Sequence, residues 1–348
     1  MYSSVDIPKK ICILRLSAIG DITHVLPVIR AIQKQWPETE ITWICGSFEY
    51  KLLKIIKGIN FISFNKKDGF KAYLKLWKQL KNNKFDVLLQ MQVAGRANIA
   101  SIGIKANVKI GWDKNRSRDL HQFFINKKIK AENQQHQVQG FLSFARALGL
   151  PANNPVWDIP ITENAQAFVD KYIDKEKSVL VISACSSHHL RNWPASRYAK
   201  LADYAIDRYN MQVVLSGGPA EIEIKMAEKI IASMQNEALN LVGKDTLEQL
   251  VGLLQQASVV VSPDSGPAHI ASALDVPVIG LYACTWSKRS GPYNSLHYCV
   301  DKFNDAAEKF LNKSADALPW GTKIEKTGVM ELITVDEVCA KLDQVLLK

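Results

Sequence analysis

Two aspartates stand where α/β proteins place reactive groups. Asp264 follows the apolar run 257–261, and Asp21 closes a short loop after the apolar run 11–16. Both runs predict buried parallel strands, and ligands in such folds bind at the carboxyl ends of the strands. A carboxylate at that edge can accept a proton from a hydroxyl group or bind the hydroxyl groups of a sugar. The alternatives are a helix-capping role for Asp21 and a turn-stabilising role for Asp264.

The residues after Asp264 predict an anion-binding turn. Ser265 suits the N-cap of a helix, Gly266 belongs to the turn, and Pro267 suits the first helical turn, where its missing N–H costs nothing. The free N–H groups of such a helix start bind phosphate, and the helix dipole favours the negative charge. A phosphate site beside a carboxylate for sugar hydroxyls suggests a nucleotide-sugar donor.

The elements that must position these residues alternate along the chain. The first half predicts strands at 11–16, 40–44, 87–90 and 108–111 and helices at 23–35, 70–82 and 135–148. The second half predicts strands at 179–183, 212–216, 239–242, 259–262 and 278–282 and helices at 247–255, 265–275 and 335–347. This alternation is typical of parallel, doubly wound sheets. The Pro- and Asn-rich segment 151–155 predicts a linker, so we expect an α/β protein of two Rossmann-like domains with a cleft between them.

Charge divides the chain in the same way. Residues 1–150 carry 25 Lys and Arg against 10 Asp and Glu, whereas residues 151–348 carry 19 against 24. The first half, with a net charge of +15, is therefore expected to meet an anionic partner. The sequence lacks helix-turn-helix, zinc-finger and aromatic ribonucleoprotein patterns, which argues against a nucleic acid. A phosphorylated lipid at a membrane surface suits the positive charge as well as a nucleic acid does.

The basic half contains one amphipathic segment of particular interest. Helical spacing places three lysines beside an apolar stripe, the lysines being Lys71, Lys75 and Lys78 and the stripe Phe70, Leu74 and Trp77. A solvated lysine face is the alternative to an anion-binding one.

The six cysteines and the apolar runs limit the class of protein. The cysteines are scattered without a Cys-x-x-Cys pair, which predicts reduced thiols in a cytoplasmic protein and no zinc site. No apolar run approaches the roughly 18–20 residues that a membrane span needs. The start of the chain also lacks the layout of a secretory signal.

Three blocks of the sequence resemble the lipopolysaccharide heptosyltransferases, an inverting glycosyltransferase family. Residues 262–282 are similar to the family's donor-site signature, and residues 10–27 are similar to its first strand and acceptor loop. The third block is Arg191-Asn192-Trp193-Pro194 with Gly217-Gly218-Pro219-Ala220-Glu221 after it. The blocks follow the family's order and approximate spacing, so the resemblance spans nearly the whole chain. It implies the glycosyltransferase B fold, with an acceptor domain at 1–160, a donor domain at 161–330 and a final helix at 331–348 that packs back on the first domain.

The resemblance also implies roles for individual residues. Asp21 corresponds to the catalytic base, Asp264 to the group that binds donor-sugar hydroxyls, and Ser265, Gly266 and Pro267 to the phosphate-binding turn. Further donor contacts are implied for Arg191, Ser186, Ser187, His269, Glu221 and Lys244. On the acceptor side, the expected residues are Arg15, Gly20, Trp112, Lys66, Lys67, Lys71, Lys75 and Lys78.

The activity expected from the resemblance is transfer of heptose from ADP-heptose to the Kdo–lipid A inner core of lipopolysaccharide, most like the first heptose transfer. Asp-x-Asp, the usual motif of metal-dependent glycosyltransferases, does not occur in the sequence, so we expect no metal and no other cofactor. The expected location is the cytoplasmic face of the inner membrane, with peripheral attachment. Three alternatives stay open: a second or third heptosyltransferase acting on a heptosylated core, a Rossmann oxidoreductase, and a non-catalytic lipid- or polyanion-binding protein. The missing Gly-x-Gly-x-x-Gly motif counts against the oxidoreductase.

Overall fold

A computed structural model describes residues 7–347, and the chain divides into two compact units, Met1–Pro160 and Ile161–Lys348. Each unit is a parallel six-stranded sheet with helices on its faces. The predicted α/β class and the two Rossmann-like sheets are thereby confirmed. Among the described residues, no helix combines the length and the apolarity that a membrane crossing requires.

The sheet of the first unit has the strand order β3-β2-β1-β4-β5-β6. Its strands are β1 Lys10–Leu14, β2 Glu40–Gly46, β3 Asn60–Phe64, β4 Lys84–Gln90, β5 Lys105–Gly111 and β6 Lys127–Lys128. Its helices are α1 Ile19–Gln35, α2 Tyr50–Leu53, α3 Phe70–Leu80, α4 Gly95–Ile102 and α5 Gln137–Ala147. Helices α1 and α5 pack on each other, whereas α3 and α4 share one apolar core with the sheet.

The sheet of the second unit has the order β12-β11-β10-β7-β8-β9. Its strands are β7 Val179–Ile182, β8 Gln212–Leu215, β9 Leu239–Asn240, β10 Val259–Pro263, β11 Val278–Tyr282 and β12 Val300–Asp301. Its helices are α6 Glu163–Tyr172, α7 Ala195–Tyr209, α8 Glu221–Ser233, α9 Leu247–Gln256, α10 Gly266–Ala273, α11 Ser287–Ser290, α12 Phe303–Leu311 and α13 Val335–Leu346.

Both sheets use the same connectivity, because each grows outward in two directions from a central pair of strands. The pairs are β1 with β4 in the first unit and β7 with β10 in the second. The loops that follow the two strands of such a pair lead to opposite sides of the sheet, which leaves a crevice at the carboxyl edge between them. Ligands bind in this crevice in open α/β sheets. Asp21 follows β1 and Asp264 follows β10, so each aspartate lies beside its own unit's crevice.

The structure differs from the sequence prediction at several elements. Helix α1 begins at Ile19 rather than at residue 23, because the backbone N–H of Ile22 already donates to the carbonyl of Ala18 at 2.9 Å. The structure also contains elements that were not predicted, namely strands β3, β6 and β12 and helices α2, α4, α6, α7, α8, α11 and α12. Gly20 has helical backbone inside the first turn of α1.

The final helix lies against the second unit. Val338 and Leu342 on α13 belong to that unit's apolar core, and the hydroxyl groups of Tyr204 and Tyr209 on α7 donate to Asp343 at 2.8 and 2.7 Å. The resemblance implied packing on the first domain, whereas the contacts described for this helix are with the second unit.

Candidate functional site

In the first unit, the side chain of Asp21 is held by Arg15. Arg15 lies just after β1, and its Nη2 is 2.5 Å from Oδ2 of Asp21. Asp21 occupies the first turn of α1, where its carboxylate also accepts from the N–H of Ala18 at 3.3 Å. About a quarter of the Asp21 side chain stays exposed (27%), so the oriented carboxylate can still meet a substrate hydroxyl group.

Arg15 is itself fixed by its surroundings. Its Nη1 donates to the carbonyl of Met91, which follows β4 across the crevice, at 2.7 Å. Its guanidinium group lies 5.2 Å from the ring centre of Phe141 on α5. Arg15 therefore ties the two central strand ends and α5 together, and the direction of the Asp21 carboxylate depends on it.

Trp112 reaches the same cluster through Phe141. The rings of Trp112 and Phe141 meet edge to face with centroids 5.4 Å apart, and Arg116 covers Trp112 at 5.0 Å. The backbone N–H of Trp112 donates to Nε2 of His121 at 3.2 Å, so Nδ1 of His121 carries the proton and donates to Asn98. Burial lowers the pKa of His121 to about 4, which keeps this ring neutral as a structural support.

The lysines expected at the acceptor site fall into two groups. Lys66 and Lys67 lie on an exposed single-turn helix just after β3, at the carboxyl edge of the sheet. Lys71, Lys75 and Lys78 lie along α3, which leads away from that edge. The structure therefore links Trp112 to Arg15 and Asp21 through Phe141, whereas the lysines of α3 follow Lys66 and Lys67 along the chain and their acceptor role stays a prediction.

Sequence analysis missed Glu49, a buried carboxylate after β2. A Cβ atom at position 46 would lie 2.2 Å from Oε2 of Glu49. Only glycine at this position therefore leaves room for the Glu49 side chain. Burial raises the pKa of Glu49, and the positive charges of Lys66 and Arg15 oppose that shift.

In the second unit, the carboxylate of Asp264 lies among donors at the end of β10. Nε2 of His269 is 3.6 Å from Oδ1, Nη1 of Arg191 is 3.9 Å from Oδ2, and the hydroxyl of Ser290 donates at 3.4 Å. Burial by itself would raise the pKa of Asp264. Hydrogen bonding and charge from His269, with help from Thr285 and Arg191, hold that pKa below its usual value, so the group is anionic near neutral pH.

The turn after Asp264 has the form that an anion site needs. Ser265 occupies the N-cap of α10 with an extended backbone, and Pro267 lies in the first turn. The Ser265 hydroxyl pairs with that of Ser262 at 2.7 Å and does not cap the helix. Ser265 therefore leaves the first N–H groups of α10 without a side-chain cap, the arrangement with which helix starts bind anions.

Arg191, whose Nη1 faces Asp264, is held by a second carboxylate. Oε1 of Glu325 accepts from Nε and Nη2 of Arg191 at 2.8 and 2.6 Å. His188 lies 3.8 Å from the other oxygen of Glu325. Arg191 thus lies between Asp264 and Glu325, with little of its side chain exposed. Glu325 was not predicted, because 134 residues separate it from Arg191.

The other expected donor residues differ in whether they contact Asp264. Ser186 donates through its hydroxyl to the carbonyl of Asp264 at 2.8 Å, whereas Ser187 is exposed. Lys244 is exposed and donates to the carbonyl of Asn240 at 2.7 Å. The structure therefore joins Ser186, His269 and Arg191 directly to Asp264.

Glu221 and Glu223 face different directions at the start of α8. The side chain of Glu221 is 80% exposed and pairs with Lys225 at 2.5 Å, beside an open cavity of about 470 Å³ lined also by Asn192 and Trp193. Glu223 turns inward, where its Oε2 accepts from the N–H of Gly218 at 2.7 Å. Sequence analysis selected Glu221, and the donor role of that residue stays a prediction.

Within residues 7–347, no group of three or more His, Cys, Asp or Glu side chains is arranged to hold a metal ion. The adjacent rings of His188 and His189 stack with centroids 5.1 Å apart.

Comparison with known proteins decides the family. Residues 73–318 match the family described as Glycosyltransferase family 9 (heptosyltransferase). The sequence is 42% identical over 337 residues to the lipopolysaccharide core heptosyltransferase OpsX of Haemophilus influenzae, a match that covers 97% of each chain. This chain belongs to glycosyltransferase family 9. Family 9 membership makes it a glycosyltransferase and disfavours the oxidoreductase.

Other family 9 proteins are similar over most of their length. Lipopolysaccharide heptosyltransferase 1 of Campylobacter coli is 23% identical, with 93% of this chain and 98% of that protein covered. Among solved structures, a family 9 glycosyl transferase from Veillonella parvula superposes with a TM-score of 0.83 at 20% identity, over 99% of both chains. The ADP-heptose lps heptosyltransferase II of E. coli gives 0.74 at 20% identity, over 97% of this chain and 98% of that one. These likenesses show the glycosyltransferase B fold.

Proposed function

We propose that this family 9 enzyme transfers heptose from ADP-heptose to the Kdo–lipid A inner core of lipopolysaccharide, as the first heptose of the core. The observation that carries the proposal is the 42% identity over 97% of both chains with a protein named as a lipopolysaccharide core heptosyltransferase. A solved family structure titled as a heptosyltransferase with ADP supports the choice of nucleotide.

The second unit is proposed to bind the donor. The N–H groups at the start of α10, with Ser265, Gly266 and Pro267, would hold the diphosphate, and Arg191 would offset its charge. Asp264 would accept hydrogen bonds from the heptose hydroxyl groups. The remaining proposed contacts are those of Ser186, Ser187, His269, Glu221 and Lys244.

The first unit is proposed to bind the acceptor and to supply the base. An acceptor hydroxyl oxygen attacks the anomeric carbon from the face opposite the phosphate, and the bond from that carbon to the phosphate oxygen breaks. Asp21 takes the hydroxyl proton, and ADP leaves with the electron pair of the broken bond. Arg15 positions Asp21 through the 2.5 Å ion pair. Gly20, Trp112, Lys66 and Lys67 are the proposed acceptor contacts, and the acceptor's phosphates and carboxylates suit the net charge of +15 over residues 1–150.

Because the proposed acceptor is a membrane lipid, we infer that the enzyme works at the cytoplasmic face of the inner membrane. The mechanism also predicts independence from divalent metals, since the N-terminus of α10 and Arg191 carry the charge of the departing ADP. Turnover in excess EDTA should match turnover without it. A loss of activity that Mg²⁺ or Mn²⁺ restores would contradict this part of the mechanism.

The test of the function is direct. Purified enzyme is given ADP-heptose with Kdo–lipid A, or with the same acceptor already carrying one heptose, and products are weighed by mass spectrometry. We expect a single heptose added to Kdo–lipid A, with inversion at the anomeric carbon. Addition only to the heptosylated acceptor would make the protein a second or third heptosyltransferase. Failure with both acceptors would contradict the proposal.

A further inference from the structure

Helix α3 has two apolar faces, and only one of them is covered. Ala72, Leu76 and Leu80 lie in the core of the first unit. The stripe that stands out in the sequence lies elsewhere on the helix, because Phe70 is 64% and Leu74 52% exposed. These two residues are one helical turn apart and therefore form one continuous exposed surface.

Helix α4 extends this apolar surface. Its Ile99 and Ile102, three residues apart, are 40% and 59% exposed. Trp77 links the two helices, since its Nε1 donates to the carbonyl of Ala100 at 3.1 Å and its ring lies against Gly103, where any Cβ would clash at 2.1 Å. We name the exposed side chains of Phe70, Leu74, Ile99 and Ile102 the α3–α4 face.

Lysines dominate the charges around the α3–α4 face, and the acidic residues that adjoin it are Asp68 just before α3 and Asp119, which accepts from the N–H of Gly95 at the start of α4. A row of exposed lysines, Lys71, Lys75 and Lys78, runs along α3, and Nζ of Lys105 donates to the carbonyl of Lys81 at the far end of that helix. Residues 69–85 and residues 87–112 contain no aspartate or glutamate, and Asp86 lies between the two stretches. Asp86 accepts from the N–H groups of Lys9 and Lys10 at 2.7 and 2.9 Å.

We propose that the α3–α4 face lies on an anionic phospholipid bilayer, with Phe70, Leu74, Ile99 and Ile102 at the acyl boundary and the lysines among the headgroups. Exposed apolar side chains beside a row of lysines are typical of helices that lie in the membrane interface. Each lysine near an anionic surface adds to the attraction. The proposal deepens the proposed function, because it assigns the α3 lysines to the bilayer rather than to the acceptor's sugars.

The experiment is sedimentation with lipid vesicles in the absence of donor and acceptor, so its outcome does not depend on the proposed reaction. Wild-type protein should bind vesicles of phosphatidylethanolamine with phosphatidylglycerol and should bind phosphatidylcholine vesicles much less. The pair Phe70→Ser with Leu74→Ser should lose about tenfold or more in partitioning at every salt concentration. The triple change Lys71→Gln, Lys75→Gln and Lys78→Gln should lose about tenfold at low salt, and this loss should shrink at high salt.

Matched controls come from the second unit, whose α8 carries the exposed Ile222 and Ile224. Ile222→Ser with Ile224→Ser, and Lys200→Gln with Lys309→Gln and Lys313→Gln, should bind vesicles as wild type does. Thermal unfolding should show that all the variants fold. If a serine variant fails to fold, Phe70→Trp keeps the surface apolar, and brominated lipids should quench a larger fraction of its fluorescence than of the fluorescence of wild type or of Ile222→Trp.

Equal vesicle binding by wild type and both α3 variants would overturn the proposal, as would a wild type that ignores anionic vesicles. If the wild-type protein self-associates and the Phe70 and Leu74 changes abolish that self-association, the α3–α4 face binds a second copy of the chain. This result would also overturn the proposal. Activity separates the two proposals. A water-soluble acceptor without acyl chains should be heptosylated equally by wild type and the variant with Phe70→Ser and Leu74→Ser, whereas absence of activity in wild type with intact vesicle binding would count against the proposed function alone.

Discussion

One carboxylate oxygen of Glu325 accepts two hydrogen bonds from Arg191, at 2.8 Å from Nε and 2.6 Å from Nη2. The third guanidinium nitrogen faces Asp264 at 3.9 Å. Arg191 therefore keeps its place by pairing with two carboxylates, and the proposed donor diphosphate would compete with them for its positive charge. Burial by itself would raise the pKa of Glu325. The hydrogen bond from Arg191 and the positive charges around Glu325, above all that of Arg191, hold the pKa below its usual value.

Glu325→Gln should tighten ADP binding by roughly fivefold, with a larger effect at low salt. The amide oxygen can still accept from Arg191, so the orientation persists while a competing negative charge is removed. Isothermal calorimetry measures the effect, with Glu331→Gln as a control that removes an exposed charge from the same segment. Weaker ADP binding in Glu325→Gln would mean that the negative charge of Glu325 is needed to form the site.

Asp21→Asn should lower turnover by about 10²–10⁴-fold, the usual effect of losing a general base. ADP affinity and the melting temperature should change little, because the side chain keeps its shape and lies in the first turn of α1. Rates of heptose transfer provide the measurement, and Glu38→Gln, an exposed acid beyond the same helix, is the control. Near-normal turnover in Asp21→Asn would remove this residue from the chemistry.

Asp264→Asn should weaken binding of ADP-heptose by about tenfold and that of ADP much less, because the carboxylate is proposed to bind the sugar. Calorimetry with the two ligands separates sugar from phosphate contacts. Ser290→Ala, which leaves the carboxylate in place, should disturb both ligands less. Equal losses for ADP and ADP-heptose would show that Asp264 supports only the phosphate turn.

Asp245 predicts a pH dependence of stability. Its Oδ2 is buried without a hydrogen-bond partner in the described part of the chain, and burial, with the charge of Glu223, raises its pKa to about 7. Between about pH 4 and 7 the folded state keeps a proton that the unfolded chain has lost, so the free energy of unfolding falls as pH rises through this window.

Asp245→Asn removes this cost, so its melting temperature at pH 8 should exceed that of wild type by roughly 2–8 °C. At pH 4 the two proteins should melt together. Asp316→Asn, at an exposed position, should change nothing at either pH. A stabilisation of equal size at both pH values would attribute the effect to packing rather than to the charge.

Local pattern was enough to predict both strand-to-loop positions of Asp21 and Asp264, because a buried strand followed by a polar turn is encoded within a dozen residues. It was not enough to choose between the two apolar series of α3, since Ala72, Leu76 and Leu80 repeat as regularly as Phe70, Leu74 and Trp77. The larger side chains suggest the core, yet the small Ala72 lets the helix approach the sheet.

The side-chain partners were harder still to predict. Glu221 and Glu223 are two residues apart and therefore point to nearly opposite sides of α8, so their roles depend on the exact residue at which the helix begins. Glu325 meets Arg191 only because the chain returns after β11, where the N–H of Ile324 donates to the carbonyl of Cys284. Such long-range pairing leaves no periodic trace in the sequence.

Helix α13 packs on the second unit, so the last helix of the chain supports the proposed donor region. Trp193, two residues after Arg191, is fully buried and donates through Nε1 to the carbonyl of Ile333 at 3.0 Å. A premature stop before Val335 would remove α13 and uncover the apolar surface of α7, the helix that begins just after Trp193. Loss of these last residues, none of which is proposed to touch a substrate, would then look, in a genetic screen, like loss of the proposed donor site itself.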